Sequence, residues 1–85
     1  MERQEISDKV IKIVRSKLQL EDEKQVKEET TFAADLGTDS LDLAELVMEF
    51  EEEFELQIPD DTAKGAKSIK DAVDMIHEML SRQGR

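Results

Sequence analysis

The eighteen residues Gly37-Thr-Asp-Ser-Leu-Asp-Leu-Ala-Glu-Leu-Val-Met-Glu-Phe-Glu-Glu-Glu-Phe54 decide the fold. Leu43, Leu46, Val47, Phe50 and Phe54 recur at spacings of three and four, the signature of one apolar helical face. Glu45, Glu49, Glu52 and Glu53 fill the other faces. Asp39 is a favoured N-cap residue with a second acid, Asp42, at the third helical position, and Gly37 before it permits a turn, so the helix begins at about Ser40. It ends before Pro59, which suits a helix start but not an interior, and Pro59 to Ala63 begins one short turn or helix.

Outward from this segment the same period returns twice. Ile6, Val10, Ile13, Val14 and Leu18 share a face and predict a first helix over Gln4 to Leu18. Ile69, Ala72, Val73, Ile76 and Leu80 make the buried face of a last helix, capped by Ser68 with Asp71 three residues on, and the tail from Ser81 to Arg85 is expected to fray. Between Leu20 and Leu36 neither period is sustained. That stretch, charged from Glu21 to Glu29, reads as a long loop anchored by Phe32 and Leu36; loops longer than about 12 residues are often functional, so a packed crossing is expected. The prediction is an all-α protein in one domain over residues 1–85: a small four-helix bundle with three main helices, a short third helix, and a long loop between helices 1 and 2.

Charge and composition narrow the function. Apolar residues make up 38% of the 85 and charged residues 40%, a patterned content that predicts a folded chain. A domain this small buries only roughly 60% of the surface its unfolded form exposes, so its core is modest. Between Asp35 and Asp61 there are eleven acids and no Lys or Arg, whereas the rest of the chain is nearly balanced. Nucleic acid is a poor partner for such a surface, since phosphate neutralisation needs clustered bases. Basic protein surfaces are its counterpart, and the net charge of −10 favours a monomer. No apolar run approaches the roughly 20 residues of a membrane span, and the first residues lack the apolar stretch of a signal peptide, so membrane insertion is not expected and a cytoplasmic location is. Without cysteine, any thiol chemistry must come from an attached group.

Ser40 is the residue with chemical potential. A serine just inside a helix start is exposed and backed by free backbone N–H groups and the positive end of the helix dipole, which favour an attached phosphodiester. On physics alone such a serine is most often a mere capping residue. The surrounding residues weigh the other way. Asp35-Leu-Gly-Thr-Asp-Ser-Leu, then Glu45-Leu-Val-Met, then Glu51-Glu-Glu-Phe, then Ile58-Pro-Asp resembles the attachment signature of acyl carrier proteins, and the looser resemblance runs from about Ile6 to Leu80.

The resemblance implies that Ser40 receives 4′-phosphopantetheine from coenzyme A through a phosphopantetheinyl transferase, and that the arm's thiol carries acyl groups as thioesters. Asp39 would cap the helix and contact the transferase. The acidic second helix would dock on basic surfaces of fatty acid synthesis enzymes and acyltransferases through Asp39, Asp42, Glu45, Glu51 and Glu52, with Leu41, Val47 and Met48 as apolar contacts. Within the helix, acids without basic neighbours forgo the usual i,i+4 pairs and repel one another, and partner binding is a reason to keep them. Phe32, Leu46, Phe50, Phe54, Ile58, Ala63, Ala66, Ala72 and Ile76 would surround a pocket for the acyl chain.

Some positions depart from the family pattern. Ala66 stands where a larger aliphatic residue is common, beside Gly65, which lowers helix propensity and makes a loose third helix. Thr38 replaces a small apolar residue and Glu49 stands where Ala is frequent. No catalytic or metal-binding residues are expected: Gly37-Thr-Asp-Ser is not a nucleophile elbow, Asp35 to Glu45 lacks EF-hand spacing, and His77 is a boundary residue without a paired ligand. The expected function is non-catalytic carriage of acyl intermediates in fatty acid synthesis. A carrier of polyketide or aminoacyl intermediates, or an unmodified acidic adaptor, are the alternatives.

Overall fold

In the computed structural model, which describes residues 2–20 and 26–82, four helices follow in the expected order: α1 (Arg3–Leu18), α2 (Ser40–Phe54), α3 (Asp60–Lys64) and α4 (Ile69–Arg82). The first five residues of the charged loop, 21–25, and the last three of the tail lie outside the described residues. Ser81 and Arg82, expected to fray, instead complete α4, where Arg82 Nη2 meets Glu78 Oε1 at 2.6 Å one turn back. A cation in the last turn also suits the helix dipole.

α1 packs on both α4 and α2, and the core lies where the three long helices converge. Ile6, Val10 and Val14 come from α1, Leu46, Phe50 and Phe54 from α2, and Ile69, Ala72, Val73, Ile76 and Leu80 from α4. Each large apolar side chain buried this way contributes roughly 1.5–3 kcal/mol. Ile13, Leu18, Leu43 and Val47, read as buried from the period alone, are only partly covered and flank this core. Val26 and Leu56, from connecting segments without periodicity, are buried in it. The short α3 buries no side chain at all.

The crossing from α1 to α2 is fastened to the start of α4. The Ile69 N–H donates to Thr30 O at 2.9 Å, Phe32 N–H to Lys67 O at 3.0 Å, and Lys70 N–H to Glu28 O at 2.8 Å. Thr31 and Ser68 form an isolated antiparallel bridge. Phe32 is buried, Leu36 half-buried, and Asp35 accepts from the Thr31 N–H at 2.8 Å. These bonds satisfy backbone groups that a buried crossing would otherwise strand.

Beside this fastening, Arg3 joins three elements. Its Nη1 and Nη2 reach the two Glu28 carboxylate oxygens at 3.1 and 2.6 Å, and Nε reaches Asp74 Oδ1 at 2.9 Å. Its hydrogen bonds to Glu28 and Asp74 raise the guanidinium above its usual range. The Glu28 carboxyl is lowered, chiefly by its hydrogen bonds from Arg3.

Two helices end on non-glycine residues in the left-handed region, Gln19 and Glu55, each with φ 54°. In both, the following N–H returns to the carbonyl five residues back: Leu20 to Arg15 and Leu56 to Glu51, each at 3.0 Å. This closes the last turn as a glycine C-cap would, at a steric cost glycine avoids.

Candidate functional site

Ser40 is the first residue of α2, and local bonding fixes where its hydroxyl stands. Gly37 takes φ +66°, turning the chain toward the helix. The Thr38 N–H and Oγ1 both donate to Phe32 O, at 3.0 and 2.8 Å, tying this turn to a buried ring. Asp39 and Asp42 then close a capping box: Asp42 N–H donates to Asp39 Oδ1 at 2.9 Å, and Asp39 N–H to Asp42 Oδ2 at 3.2 Å. Ser40 projects from between them, exposed, with no hydrogen-bond partner for its hydroxyl among the described residues. The capping work falls to Asp39, which leaves the serine oxygen available.

Along α2, Ser40, Ala44, Val47 and Glu51 are four, three and four residues apart and share one face. That face borders a cavity of about 370 Å³ between α2, α3 and the start of α4. Of the residues predicted to surround an acyl pocket, Phe32, Leu46, Phe50, Ala63, Ala66 and Ala72 line it. Phe54, Ile58 and Ile76 are buried but do not: on α2 the cavity extends from Leu43 to Glu51, so Phe54 lies beyond its end. The helical period gives the face a residue shares, not its depth along the axis. Leu43, Ala44, Val47, Met48 and Met75 also line the cavity: Leu43 and Val47 were read as part of the apolar helical face, Val47 and Met48 as docking contacts, and Ala44 and Met75 were not singled out. Glu51, Asp60 and Lys64 add polar groups to the lining.

The residues read as a docking face divide into three sets. Leu41 and Met48 are exposed, at 67% and 65%, seven residues apart and thus aligned, with exposed Glu45 and Glu52 beside them. Glu51 is half-buried and turned to internal use: its Oε2 accepts the Ile58 N–H at 2.8 Å, tying the α2–α3 connection to the helix. Val47 is half-buried at the cavity, and Asp39 and Asp42 are held in the cap.

The acids that found no base within α2 meet some from α1. Lys9 Nζ lies 3.1 Å from Glu53 Oε2, and Lys17 Nζ 3.9 Å from Glu49 Oε1. These lysines and Lys12 share a polar cleft with Glu45, Glu49 and Glu53. Sequence reading missed this pairing because it depends on which helix packs beside which. His77, also singled out earlier, is half-buried on α4.

Comparison with known proteins bears on this arrangement. The family described as "Phosphopantetheine attachment site" matches residues 8–76. The "Acyl carrier protein" of Porphyromonas gingivalis strain ATCC 33277 is 47% identical over 76 residues, covering 89% of this chain and 96% of the relative. This chain belongs to the acyl carrier protein family. The counterpart from P. gingivalis strain W83 matches to the same extent. A solved structure from Mycobacterium tuberculosis, described as a candidate acyl carrier protein, superposes with a TM-score of 0.79 over 86% of this chain and 96% of its own, at 23% identity, and so supports the fold alone.

Acyl carrier proteins are carriers rather than catalysts, and membership implies a covalently attached 4′-phosphopantetheine. This carrier fits such a group. It offers an exposed, unbonded hydroxyl at a helix start, and the backbone N–H groups of Ser40 and Leu41 have no partner among the described residues. Among the described residues no helix is long and apolar enough to cross a membrane.

Proposed function

We propose that the chain, as one carrier domain, holds acyl intermediates as thioesters on a 4′-phosphopantetheine arm joined to Ser40, and presents them to enzymes of fatty acid synthesis. The observation that carries this reading is the exposed Ser40 hydroxyl, unbonded and framed by the Asp39–Asp42 cap, inside the matched attachment family. A phosphopantetheinyl transferase would transfer the arm from coenzyme A: the serine oxygen bonds to the arm's phosphorus as the bond to the 3′,5′-ADP leaving group breaks, and the hydroxyl proton passes to solvent or the transferase. Asp39 has two parts in this, setting the serine's position and offering a carboxylate to the transferase.

The tether raises the effective concentration of the acyl group at each enzyme that docks the carrier, so the chain's own residues present and protect while the enzyme supplies the chemistry. Docking uses the exposed stripe of Leu41 and Met48 with Glu45 and Glu52. Exposed ion pairs contribute little each, so this contact is weak and weakened further by salt, as befits a carrier that must leave. Fatty acid synthesis is favoured by the concentration of acid between Asp35 and Asp61, which suits many basic partners in turn. Location in the cytoplasm and a monomeric state belong to the same proposal.

The test is to incubate the purified chain with coenzyme A and a broad-range phosphopantetheinyl transferase and record intact mass. One added phosphopantetheine on the parent, and none on a folded Ser40→Ala variant, is the expected result. A parent that gains no mass would end the proposal, and a variant that still gains it would move the attachment elsewhere.

A further inference from the structure

α2 carries its acids unevenly around its circumference. With Leu41 as the reference, the helical period puts Met48 and Glu52 about 20° to either side of it, Glu45 about 40° away, Glu49 about 80° and Glu53 about 120°. Glu45, Glu49 and Glu53 therefore step round toward one flank, and α1 stands against that flank. Lys9, Lys12 and Lys17 face these three glutamates across the polar cleft.

The lysines do not serve all the acids alike. Glu53 Oε2 is 3.1 Å from Lys9 Nζ and Glu49 Oε1 is 3.9 Å from Lys17 Nζ, whereas Glu45 and Glu52 have no ion pair among the described residues. No Lys or Arg between Asp35 and Asp61 offsets the acids from within α2, so compensation comes from α1 and falls on one side. Exposed pairs of this kind contribute little to stability. Their effect on an approaching surface is larger. An acid beside a cation presents a dipole, whose field falls away more steeply than that of a single charge, and encounter rates follow the field of the whole surface.

We propose that the α1 lysines mask one flank of the acidic helix, making Lys9 and Lys17 specificity-determining residues for docking. The inference rests on the docking role proposed above and narrows it: Glu49 and Glu53 are withdrawn, and the open surface is the stripe of Leu41, Met48, Glu45 and Glu52. The partner that fits is a protein surface with two cations about 10 Å apart, the rise from Glu45 to Glu52, beside an apolar recess for Leu41 and Met48. A partner whose cations spread over the other flank meets Lys12 and Lys17, both exposed, and is disfavoured by like charge.

The test measures kcat/KM for loading of the phosphopantetheine-bearing chain by a malonyl-coenzyme A-dependent acyltransferase, at low and high salt, with helix content of each variant checked by circular dichroism. Lys17→Gln uncovers Glu49 and should raise the low-salt value about twofold, and Lys9→Gln with Lys17→Gln about fourfold, each with a steeper loss on adding salt. Lys17→Gln with Glu49→Gln removes both members of the pair and should return to the parent value. Arg82→Gln makes the same change in net charge by uncovering Glu78 on α4, away from the stripe, and should match the parent. Lys17→Gln equal to the parent or to Arg82→Gln, or a Lys17→Gln/Glu49→Gln variant that stays raised, overturns the mask while leaving the docking role intact. Loading of the parent that ignores salt rejects charge-guided docking itself, and the mask with it.

Discussion

Replacing Asp39 with alanine separates the support around Ser40 from the reactive hydroxyl itself. The substitution removes the acceptor of the 2.9 Å bond from Asp42 N–H while leaving the Asp39 backbone N–H free to donate to Asp42. Loss of an N-cap side chain costs about 1 kcal/mol. In a domain of this size that is a fall of about 4–8 °C in the thermal midpoint. Asp39→Asn keeps an acceptor oxygen in the same place and gives up only the charge, which favours the helix dipole but repels neighbouring Asp42. Its loss should be less than about 0.5 kcal/mol. Ser40→Ala removes a group with no partner and should stay within about 0.5 kcal/mol of the parent. The assay is thermal melting followed by circular dichroism, with each variant at low and high salt. Equal losses in the alanine and asparagine variants would show that charge, not the cap bond, holds the helix start. A Ser40→Ala loss as large as that of Asp39→Ala would refute the division of labour between the two residues.

Glu55→Gly relieves a side chain held at φ 54°; the relief of about 1 kcal/mol is partly offset by the entropy glycine adds to the unfolded chain, leaving about 0.5 kcal/mol of stabilisation, read as a raised urea midpoint at constant slope. The lowered Glu28 carboxyl makes the folded state more stable above the ordinary glutamate range, and this contribution is lost as pH falls through the folded value. Glu28→Gln should therefore be less stable than the parent at neutral pH, and the gap should close on acidification; a gap constant with pH contradicts the role of Arg3. Glu52→Lys, and more strongly Glu45→Lys with Glu52→Lys, should slow acyl transfer by partner enzymes at low salt with helix content retained, and unchanged transfer would remove the docking role. The single variant is the cleaner one, because Glu45 also borders the lysines of α1.

The three long helices could be read from sequence because their apolar spacing is local, and the start of α2 because Asp39 and Asp42 are bonded to each other's backbone within one turn. The rest depended on encounters between distant residues. Nothing near Thr30 or Ile69 announces that their backbones pair, and nothing in α2 says that Lys9 and Lys17 will stand opposite Glu53 and Glu49. Glu51 looks like its acidic neighbours until the chain folds back and brings the Ile58 N–H to it. Gln19 and Glu55 gave no warning of left-handed backbone, since neither is the glycine or asparagine that marks such an end. At the site, Ser40 stood out in the sequence through the pattern around it. Of the residues expected around an acyl pocket, six line the cavity beside α2, while Phe54, Ile58 and Ile76 do not, because a shared face does not fix depth.

α3 places no side chain in the core, yet it forms one wall of the cavity. Segments with few buried apolar contacts open locally at free energies far below that of global unfolding. Exchange of amide protons should therefore be faster over residues 60–66 than over Val10, Phe50 or Val73. Displacing this one short segment would open the cavity on a timescale separate from that of unfolding, while α1, α2 and α4 keep their mutual packing.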